Sequence, residues 1–173
     1  STVKISSGAF SNLSEDQWSN LYISLTDERY GHYDHQDSNW RQLRENGLKI
    51  PDRSSIPVLK PGNQDRATTA LRYAQNLERL SKECQHIIGF FGIGLDSHIA
   101  GILPDCPAVT EPGIVCEFDG GQFERITIAP SFFERITEGI IYTEGAVKAE
   151  AFEKLSEDLP VETYPDQLIK QCQ

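Results

Sequence analysis

The chain has 173 residues, of which 38% are hydrophobic and 24% charged, proportions ordinary for one globular domain. Sixteen Lys and Arg against 26 Asp and Glu give a formal net charge of −10, which opposes binding to a nucleic-acid backbone or an anionic membrane surface. No apolar run reaches the roughly 18 residues that a membrane-spanning helix needs, and the first residues lack the layout of a secretory signal. We therefore expect a cytoplasmic protein with neither nucleic acid nor membrane among its partners.

The first half of the chain contains two predicted strands and two predicted helices. Residues 21–25 form a short apolar and β-branched run, typical of a buried strand that delivers the charged triplet 27–29 at its end. Ser38 and its neighbours suit the start of a helix that ends before Asn46-Gly47. After a proline-rich loop over 50–63, apolar residues at spacings of three and four predict a helix over 64–84; they are Ala67, Leu71, Ala74, Leu77, Leu80 and Cys84. Residues 86–91 are almost continuously apolar, which favours a strand covered on both faces.

The second half continues with an antiparallel pair and then a strand between two helices. Residues 114–118 and 125–128 read as two strands joined by a turn at Asp119-Gly120-Gly121. A short helix over 131–137, a strand over 139–143 and a helix over 145–155 follow. This alternation indicates an α/β fold, and no internal repeat or linker divides the chain into more than one domain.

A glycine-rich segment with an acid and an imidazole follows the strand over 86–91. It runs Gly92-Ile93-Gly94-Leu95-Asp96-Ser97-His98 and continues to Pro104. A histidine near its usual pKa of about 6.5 can accept a proton from water, and a nearby carboxylate can orient the ring. A cap on the following turn explains Asp96 and His98 equally well from spacing alone. Ser97 stands where a dinucleotide-binding loop has its third glycine, which disfavours that function.

Two cations are candidates for holding an anion. Arg29 closes the charged triplet, where a guanidinium suits a phosphate or carboxylate, although a solvated strand end with an internal salt bridge is as good an explanation. Lys148 lies in the first turn of a predicted helix, where the helix dipole disfavours a cation unless an anion also binds there. Pairing of Lys148 with Glu144 is the competing explanation.

The sequence favours no metal site. His32, Asp34, His35 and Asp37 lie close together, but their irregular spacing favours a polar loop. The four cysteines contain no C-x-x-C pair and have no histidine at zinc-finger spacing, so we interpret them as free thiols; they are Cys84, Cys106, Cys116 and Cys172.

Several short blocks, taken in order, resemble the 6-phosphogluconolactonase family, within a larger group that also holds glucosamine-6-phosphate deaminase. Residues 26–30 with 37–40 are similar to the family's D-E-R and S-N blocks, and residues 92–104 to its G-x-G-x-D-G-H-x-A-S-L-F-P block. Residues 125–127, 145–149 and 159–160 resemble its R-I-T, G-x-x-K-A and late L-P blocks. D-E-R with S-N favours the lactonase over the deaminase, whose matching block usually carries D-E-Y.

The resemblance implies an α/β fold with a mainly parallel, Rossmann-like sheet, helices on both faces and a small antiparallel flap near residues 114–128. It implies hydrolysis of 6-phosphogluconolactone, a small phosphorylated sugar, to 6-phosphogluconate in the pentose phosphate pathway, without a metal or cofactor. His98 is then the general base and Asp96 its orienting partner. Arg29 and Lys148 hold the phosphate, together with amides of a loop that contains Ser1 and Thr2. Oligomeric state is not predicted.

The chain departs from the family pattern in two places. Ser97 replaces the glycine of D-G-H, and Gly101-Ile102-Leu103 replaces S-L-F. If the glycine position has a positive φ, Ser97 costs on the order of 1 kcal/mol and places a side chain near the substrate. The family also has an earlier strand and a G-G-S-T-P phosphate loop, so we interpret Ser1 and Thr2 as the S-T of that loop, with the first strand and both glycines upstream.

Two other functions compete with lactone hydrolysis. In a deaminase or isomerase acting on an amino-sugar phosphate, Asp96 shuttles a proton between substrate carbons and His98 helps to open the ring. In a non-catalytic sugar-phosphate-binding protein the cations are kept and catalysis is lost, which Ser97 and the missing part of the loop favour.

Overall fold

The computed structural model describes residues 8, 10, 12–62 and 64–173. The α-helices in these ranges are α1 (Glu15–Ser19), α2 (Asn39–Glu45), α3 (Arg66–Glu83), α4 (Pro130–Phe133) and α5 (Ala149–Glu153). The strands are β1 (Ile23–Ser24), β2 (Asp27–Arg29), β3 (Ser55–Ile56), β4 (Ile88–Phe91), β5 (Val115–Asp119), β6 (Glu124–Ile128) and β7 (Glu138–Ile141). Short 3-10 helices lie at Asp52–Ser54, Pro107–Thr110, Ala146–Lys148, Lys154–Ser156 and Pro165–Gln171. Within the described ranges, no helix combines the length and the apolar character needed to cross a membrane.

The fold is α/β, with parallel strand pairs and a small antiparallel sheet, as predicted. Strand β1 pairs in parallel with β3, and β4 pairs in parallel with β7. Strand β6 lies between β2 and β5 and is antiparallel to both. The predicted flap therefore exists but has three strands, because the D-E-R triplet forms β2 instead of ending the strand before it.

Helix α3 confirms the predicted long helix but buries a different stripe of side chains. Asp65 caps its start through a hydrogen bond from the Thr68 amide. The buried positions are Thr69, Ala70, Tyr73, Leu77 and Leu80, which follow the three-and-four spacing. Leu71, assigned to the apolar face from sequence, is 61% exposed. The buried stripe is centred on Tyr73, whose hydroxyl donates to the Leu25 carbonyl just before β2.

The core lies where β4, the flap and the C-terminal segment meet. Phe91 of β4 stacks on Phe133 of α4 with ring centroids 5.3 Å apart, and Ile126 and Leu168 are fully buried beside them. On the other face of β4, Phe90 packs against Phe10 with ring centroids 6.3 Å apart, whereas Ile88 at the start of the strand is 52% exposed. The expectation of two covered faces therefore holds at Phe90 and fails at Ile88.

The remaining predicted elements are present, some with changed bounds. Ser38 caps α2 through its hydroxyl, and Gly47 follows the helix with a φ of 95°. The helix expected over 145–155 is divided into α5 and two flanking 3-10 turns, after Gly145 at a φ of 94°. All four cysteines are free thiols.

Candidate active site

The loop after β4 folds back on itself and carries the acid and the imidazole. The Gly94 amide donates to the His98 carbonyl at 2.9 Å, and the Ser97 amide donates to the Gly94 carbonyl at 3.2 Å. Isolated antiparallel bridges join Ile93 to Ile99 and Ile99 to Ile102. The three isoleucines are at most 1% exposed, so they anchor a turn whose acidic and imidazole side chains remain at the surface. A Cβ at Gly94 would meet the ends of the His98 and Asp96 side chains, so a larger residue there would displace this pair.

Asp96 and His98 form a direct pair. Asp96 Oδ1 lies 2.6 Å from His98 Nδ1, and it also accepts the His98 amide at 3.3 Å. Burial alone raises the pKa of Asp96, but the charge and hydrogen bonds of His98 outweigh it and lower the pKa below its usual value. With Nδ1 held by the carboxylate, Nε2 is the ring nitrogen that can exchange a proton with a ligand. The His98 side chain is 40% exposed, so a ligand has access to it.

Ser97, between the acid and the imidazole, has the positive φ expected for a glycine position. Its φ is 66°, in the left-handed region, and the residue is 4% exposed. A serine in this left-handed conformation costs about 1 kcal/mol relative to glycine, as predicted. The Ser97 carbonyl accepts a hydrogen bond from the Asp166 amide at 2.9 Å, and the nearness of the Ser97 side chain to a substrate stays a prediction.

The antiparallel sheet brings a second group of polar side chains beside the loop. Asp27 and Arg29 of β2 lie opposite Thr127 and Arg125 of β6, and residues two apart on a strand share one face. The loop packs against this face, because a Cβ on Gly101 would lie 2.8 Å from the Asp27 Cβ.

Asp27 connects the sheet to the imidazole. Its side chain is 16% exposed, and burial raises the pKa of its carboxyl. Four groups oppose that rise: the charges of Arg125, His98 and Arg29, and a hydrogen bond from the Asn39 side chain. The side-chain Nδ2 of Asn39 donates to Asp27 Oδ2 at 3.1 Å, and Arg125 Nη1 lies 3.8 Å from the same oxygen. The structure thus places Asp27, Arg29, Arg125 and His98 in one electrostatic group.

The Arg29 guanidinium contacts a backbone carbonyl and an aromatic ring. Its guanidinium donates to the Asp37 carbonyl at 3.3 Å and lies 4.3 Å from the centroid of the Phe123 ring. In the part of the chain that the structure describes, no carboxylate forms an ion pair with it, and its buried Nε has no hydrogen-bond partner. An arginine that is stacked on a ring but not neutralised is suited to binding an anion.

Glu28, between Asp27 and Arg29, has a structural role. It is fully buried, and its two oxygens accept four hydrogen bonds. The donors are the Arg29 amide (2.9 Å), the Asn39 amide (2.6 Å), the Ser38 hydroxyl (3.0 Å) and the Trp40 amide (3.1 Å). Because three of these groups start α2, Glu28 fixes that helix, and thereby Asn39, against β2.

The Lys148 side chain contacts the start of the loop that follows β4. Its Nζ donates to the Ile93 carbonyl at 2.6 Å, which places the ammonium group where the loop leaves β4. The alternative of an ion pair with Glu144 is not observed among the described residues. The Lys148 backbone lies at the end of a 3-10 turn, just before α5.

The polar loop over residues 32–37 makes other contacts. His35 contacts the Arg29 carbonyl through Nε2 at 2.9 Å, and Asp34 pairs with Arg44. Across the described ranges, no three acidic, histidine or cysteine side chains are gathered as metal ligands would be. Ser1 and Thr2, assigned to the phosphate loop, lie outside the described residues.

Sequence reasoning missed four contributors to the site: Asp27, Asn39, Arg125 and Asp166. The first three belong to the D-E-R, S-N and R-I-T blocks. Reading D-E-R as a strand would have placed Asp27 beside Arg29 on one face. Asp166 had no local signal, because it is 69 positions from Ser97 in the chain and meets it only through folding.

Solved structures support the fold. A 6-phosphogluconolactonase from Thermotoga maritima superposes with a TM-score of 0.78 at 20% identity, covering 94% of this chain and 74% of that one. A 6-phosphogluconolactonase from Trypanosoma brucei gives 0.74 at 21% identity, covering 99% and 75%. A monomeric glucosamine-6-phosphate deaminase gives 0.71 at 16% identity, covering 89% and 70%.

Sequence comparison supports the family. The 6-phosphogluconolactonase of Synechocystis sp. is 28% identical to this chain, covering 88% of this chain and 68% of that protein. The sequence profile of the family described as glucosamine-6-phosphate isomerases/6-phosphogluconolactonase matches residues 1–173. The chain therefore belongs to the glucosamine-6-phosphate isomerase/6-phosphogluconolactonase family.

Proposed function

We propose that this protein hydrolyses 6-phosphogluconolactone to 6-phosphogluconate, the reaction after which its lactonase relatives are named. The observation that carries the proposal is the 2.6 Å contact between Asp96 and His98 Nδ1, which leaves Nε2 as the proton acceptor on an accessible ring. In this proposal His98 is the general base, and the reaction belongs to the pentose phosphate pathway.

The chemical step needs little more than a positioned base. His98 Nε2 takes a proton from water as the water oxygen attacks the lactone carbonyl carbon. The carbonyl oxygen becomes a tetrahedral oxyanion, and the Asp96 carboxylate stabilises the imidazolium that forms. Collapse of the intermediate breaks the bond to the ring oxygen, which receives the proton from His98. Since a lactone is an activated ester, this positioning and charge stabilisation suffice.

The cations hold the phosphate group. Within the described part of the chain, Arg29 has no carboxylate partner and the Lys148 Nζ donates to a neutral carbonyl alone, so both cations are available to a ligand. They attract an anion on a chain whose formal net charge is −10. Ser1 and Thr2 complete the proposed phosphate site through their backbone amides.

The substitution His98→Ala tests the role of the imidazole. We expect lactone hydrolysis, followed in a pH-stat and corrected for spontaneous hydrolysis, to fall to background, while calorimetry still detects 6-phosphogluconate binding. His86→Ala, which removes an exposed histidine before β4, is the matched control and keeps activity. Full activity in the His98 variant would reject the proposed base.

The structural likeness to a deaminase favours a second candidate function. In that case Asp96 transfers a proton between substrate carbons and His98 assists ring opening, and the wild-type protein releases ammonia from glucosamine 6-phosphate. Binding of 6-phosphogluconate without turnover of either substrate would instead indicate a sugar-phosphate-binding protein.

A further inference from the structure

Two arginines stand directly opposite each other in the antiparallel sheet. Arg29 of β2 is the register partner of Arg125 of β6. The side chains of directly opposed residues lie on one face of a sheet, with β-carbons about 4.5–5.5 Å apart, and like charges in such a pair are destabilising. This arrangement therefore needs a compensating interaction.

Acidic side chains supply little of that compensation. Among the described residues, Arg125 makes one ion-pair contact, in which its Nη1 lies 3.8 Å from Asp27 Oδ2, and Arg29 makes none. The Nε groups of both arginines are buried, and neither has a hydrogen-bond partner in the described ranges. Neither guanidinium is therefore neutralised by a carboxylate at close range.

The aromatic ring of Phe123 occupies the place where an acid would be expected. Phe123 immediately precedes β6, and its ring centroid lies 4.3 Å from Cζ of Arg29 and 6.0 Å from Cζ of Arg125. A guanidinium over a ring is attracted by the negative face of the π system and keeps its charge. The ring thus stabilises the arginine pair, and Arg29 above all, without neutralising it.

The turn between β5 and β6 fixes this ring and gives room to Arg125. The Gly120 amide donates to the Phe123 carbonyl at 2.9 Å, which restrains the backbone of Phe123. A Cβ at Gly120 would lie 2.9 Å from Nε and 3.0 Å from Cδ of Arg125. The Arg125 side chain therefore lies against the bare backbone of the turn, where a larger residue would displace it.

We propose that Phe123 is a positioning residue for Arg29, whose guanidinium it holds in place for a phosphate group of the ligand. An acidic side chain in this position would also restrain Arg29 but would neutralise it, and an aliphatic side chain would leave the guanidinium free to reorient. The effect on sugar-phosphate binding rests on the proposed function, whereas the stacking of Arg29 on Phe123 does not.

Three single variants test the proposal by calorimetry with 6-phosphogluconate. We expect Phe123→Leu to raise Kd about three- to tenfold, because binding must then order the long Arg29 side chain. Phe123→Tyr keeps the ring and stays within about twofold of wild type. The matched control is Tyr22→Leu, which removes a ring 5.6 Å from Cζ of Arg79 and leaves Kd unchanged. In lactone hydrolysis, Phe123→Leu raises KM by a similar factor and changes kcat by less than about twofold.

A double variant and a spectroscopic measurement isolate the contact with Arg29. Phe123→Leu has little further effect on Kd when Arg29 is already alanine, because the ring then has no Arg29 guanidinium to hold. The ring current of Phe123 also shifts the NMR signals of the Arg29 side chain, a readout that needs no ligand. We expect this shift to disappear in Phe123→Leu and to persist in Phe123→Tyr and Tyr22→Leu.

A wild-type Kd in Phe123→Leu, or the same loss of affinity from this substitution with and without the Arg29 side chain, would overturn the proposal. If Phe123→Leu does not fold, Phe123→Met takes its place and the same outcomes decide. If the wild-type protein binds no 6-phosphogluconate, the proposed function fails. The Kd for inorganic phosphate and the Arg29 signals then decide, and values in Phe123→Leu equal to those of wild type would overturn the positioning role.

Discussion

Gly101 packs so closely between two strands that adding one methyl group tests the arrangement of the site. A Cβ at this position would lie 2.8 Å from the Cβ of Asp27 and 3.0 Å from the Cβ of Thr127. The Gly101 amide is also held by a 3.0 Å hydrogen bond to Thr127 Oγ1. Because both neighbouring atoms are attached directly to strand backbones, Gly101→Ala can be accommodated only by moving β2, β6 or the loop.

The expected cost follows from this contact. Adding a methyl group to a well-packed buried site typically costs about 1–3 kcal/mol. Because the new methyl group would overlap two β-carbons, we expect a cost in the upper half of that range, about 2–3 kcal/mol. The φ of Gly101 lies outside the left-handed region, so alanine brings no backbone strain and gains about 0.4–1 kcal/mol by restricting the unfolded chain. The net destabilisation of about 1–2.5 kcal/mol lowers the melting temperature by roughly 2–10 °C in a chain of this size.

Thermal unfolding followed by circular dichroism measures this loss. The matched control is Gly113→Ala, which has the same entropic gain but whose nearest neighbour is the end of the Glu111 side chain at 3.0 Å, with the next atom at 3.7 Å. We expect its stability to remain within about 0.5 kcal/mol of wild type. A Gly101→Ala protein as stable as wild type would show that the loop does not press against Asp27 and Thr127.

Two further predictions concern helix starts. Glu28→Gln lowers the unfolding midpoint in urea, because either orientation of the glutamine amide turns its NH₂ group toward two hydrogen-bond donors. Removing interactions with a charged acceptor costs about 1.5–3 kcal/mol. An unchanged midpoint would contradict the structural role of Glu28. Asp65, which caps α3, has a pKa lowered by hydrogen bonds from the Thr68 amide and hydroxyl. The contribution of the Asp65 carboxylate to the free energy of unfolding is complete above its unfolded pKa of about 3.9. This contribution is lost as the pH falls through the lower pKa of the folded state. Thermal unfolding of Asp65→Asn between pH 6 and pH 2 therefore shows a smaller loss on acidification than the wild type, and equal losses would contradict the assignment.

Local patterns in the sequence predicted most of the elements, because helix and strand signals depend on neighbouring residues. The caps at Ser38 and the break at Gly47 located α2, and the turn at Asp119-Gly120-Gly121 located the β5–β6 pair. The Asp96-x-His98 spacing placed an acid within reach of an imidazole, and the positive φ expected at Ser97 is present. These features need only a few consecutive residues, so one sequence contains them.

The partners of these local features are decided by tertiary contacts. Pairing of β2 with β6 brings Arg125 beside Arg29 across almost a hundred residues and makes D-E-R a strand. Leu71 is exposed because the rest of the protein packs on the Tyr73 side of α3. No local rule indicates that Ser97 meets Asp166, since that contact exists only after the C-terminal segment docks. The sequence by itself thus determined the family and the acid and imidazole that we propose for the chemistry. Only the tertiary structure decided which side chains surround them, because burial and charge pairing are properties of packed surfaces.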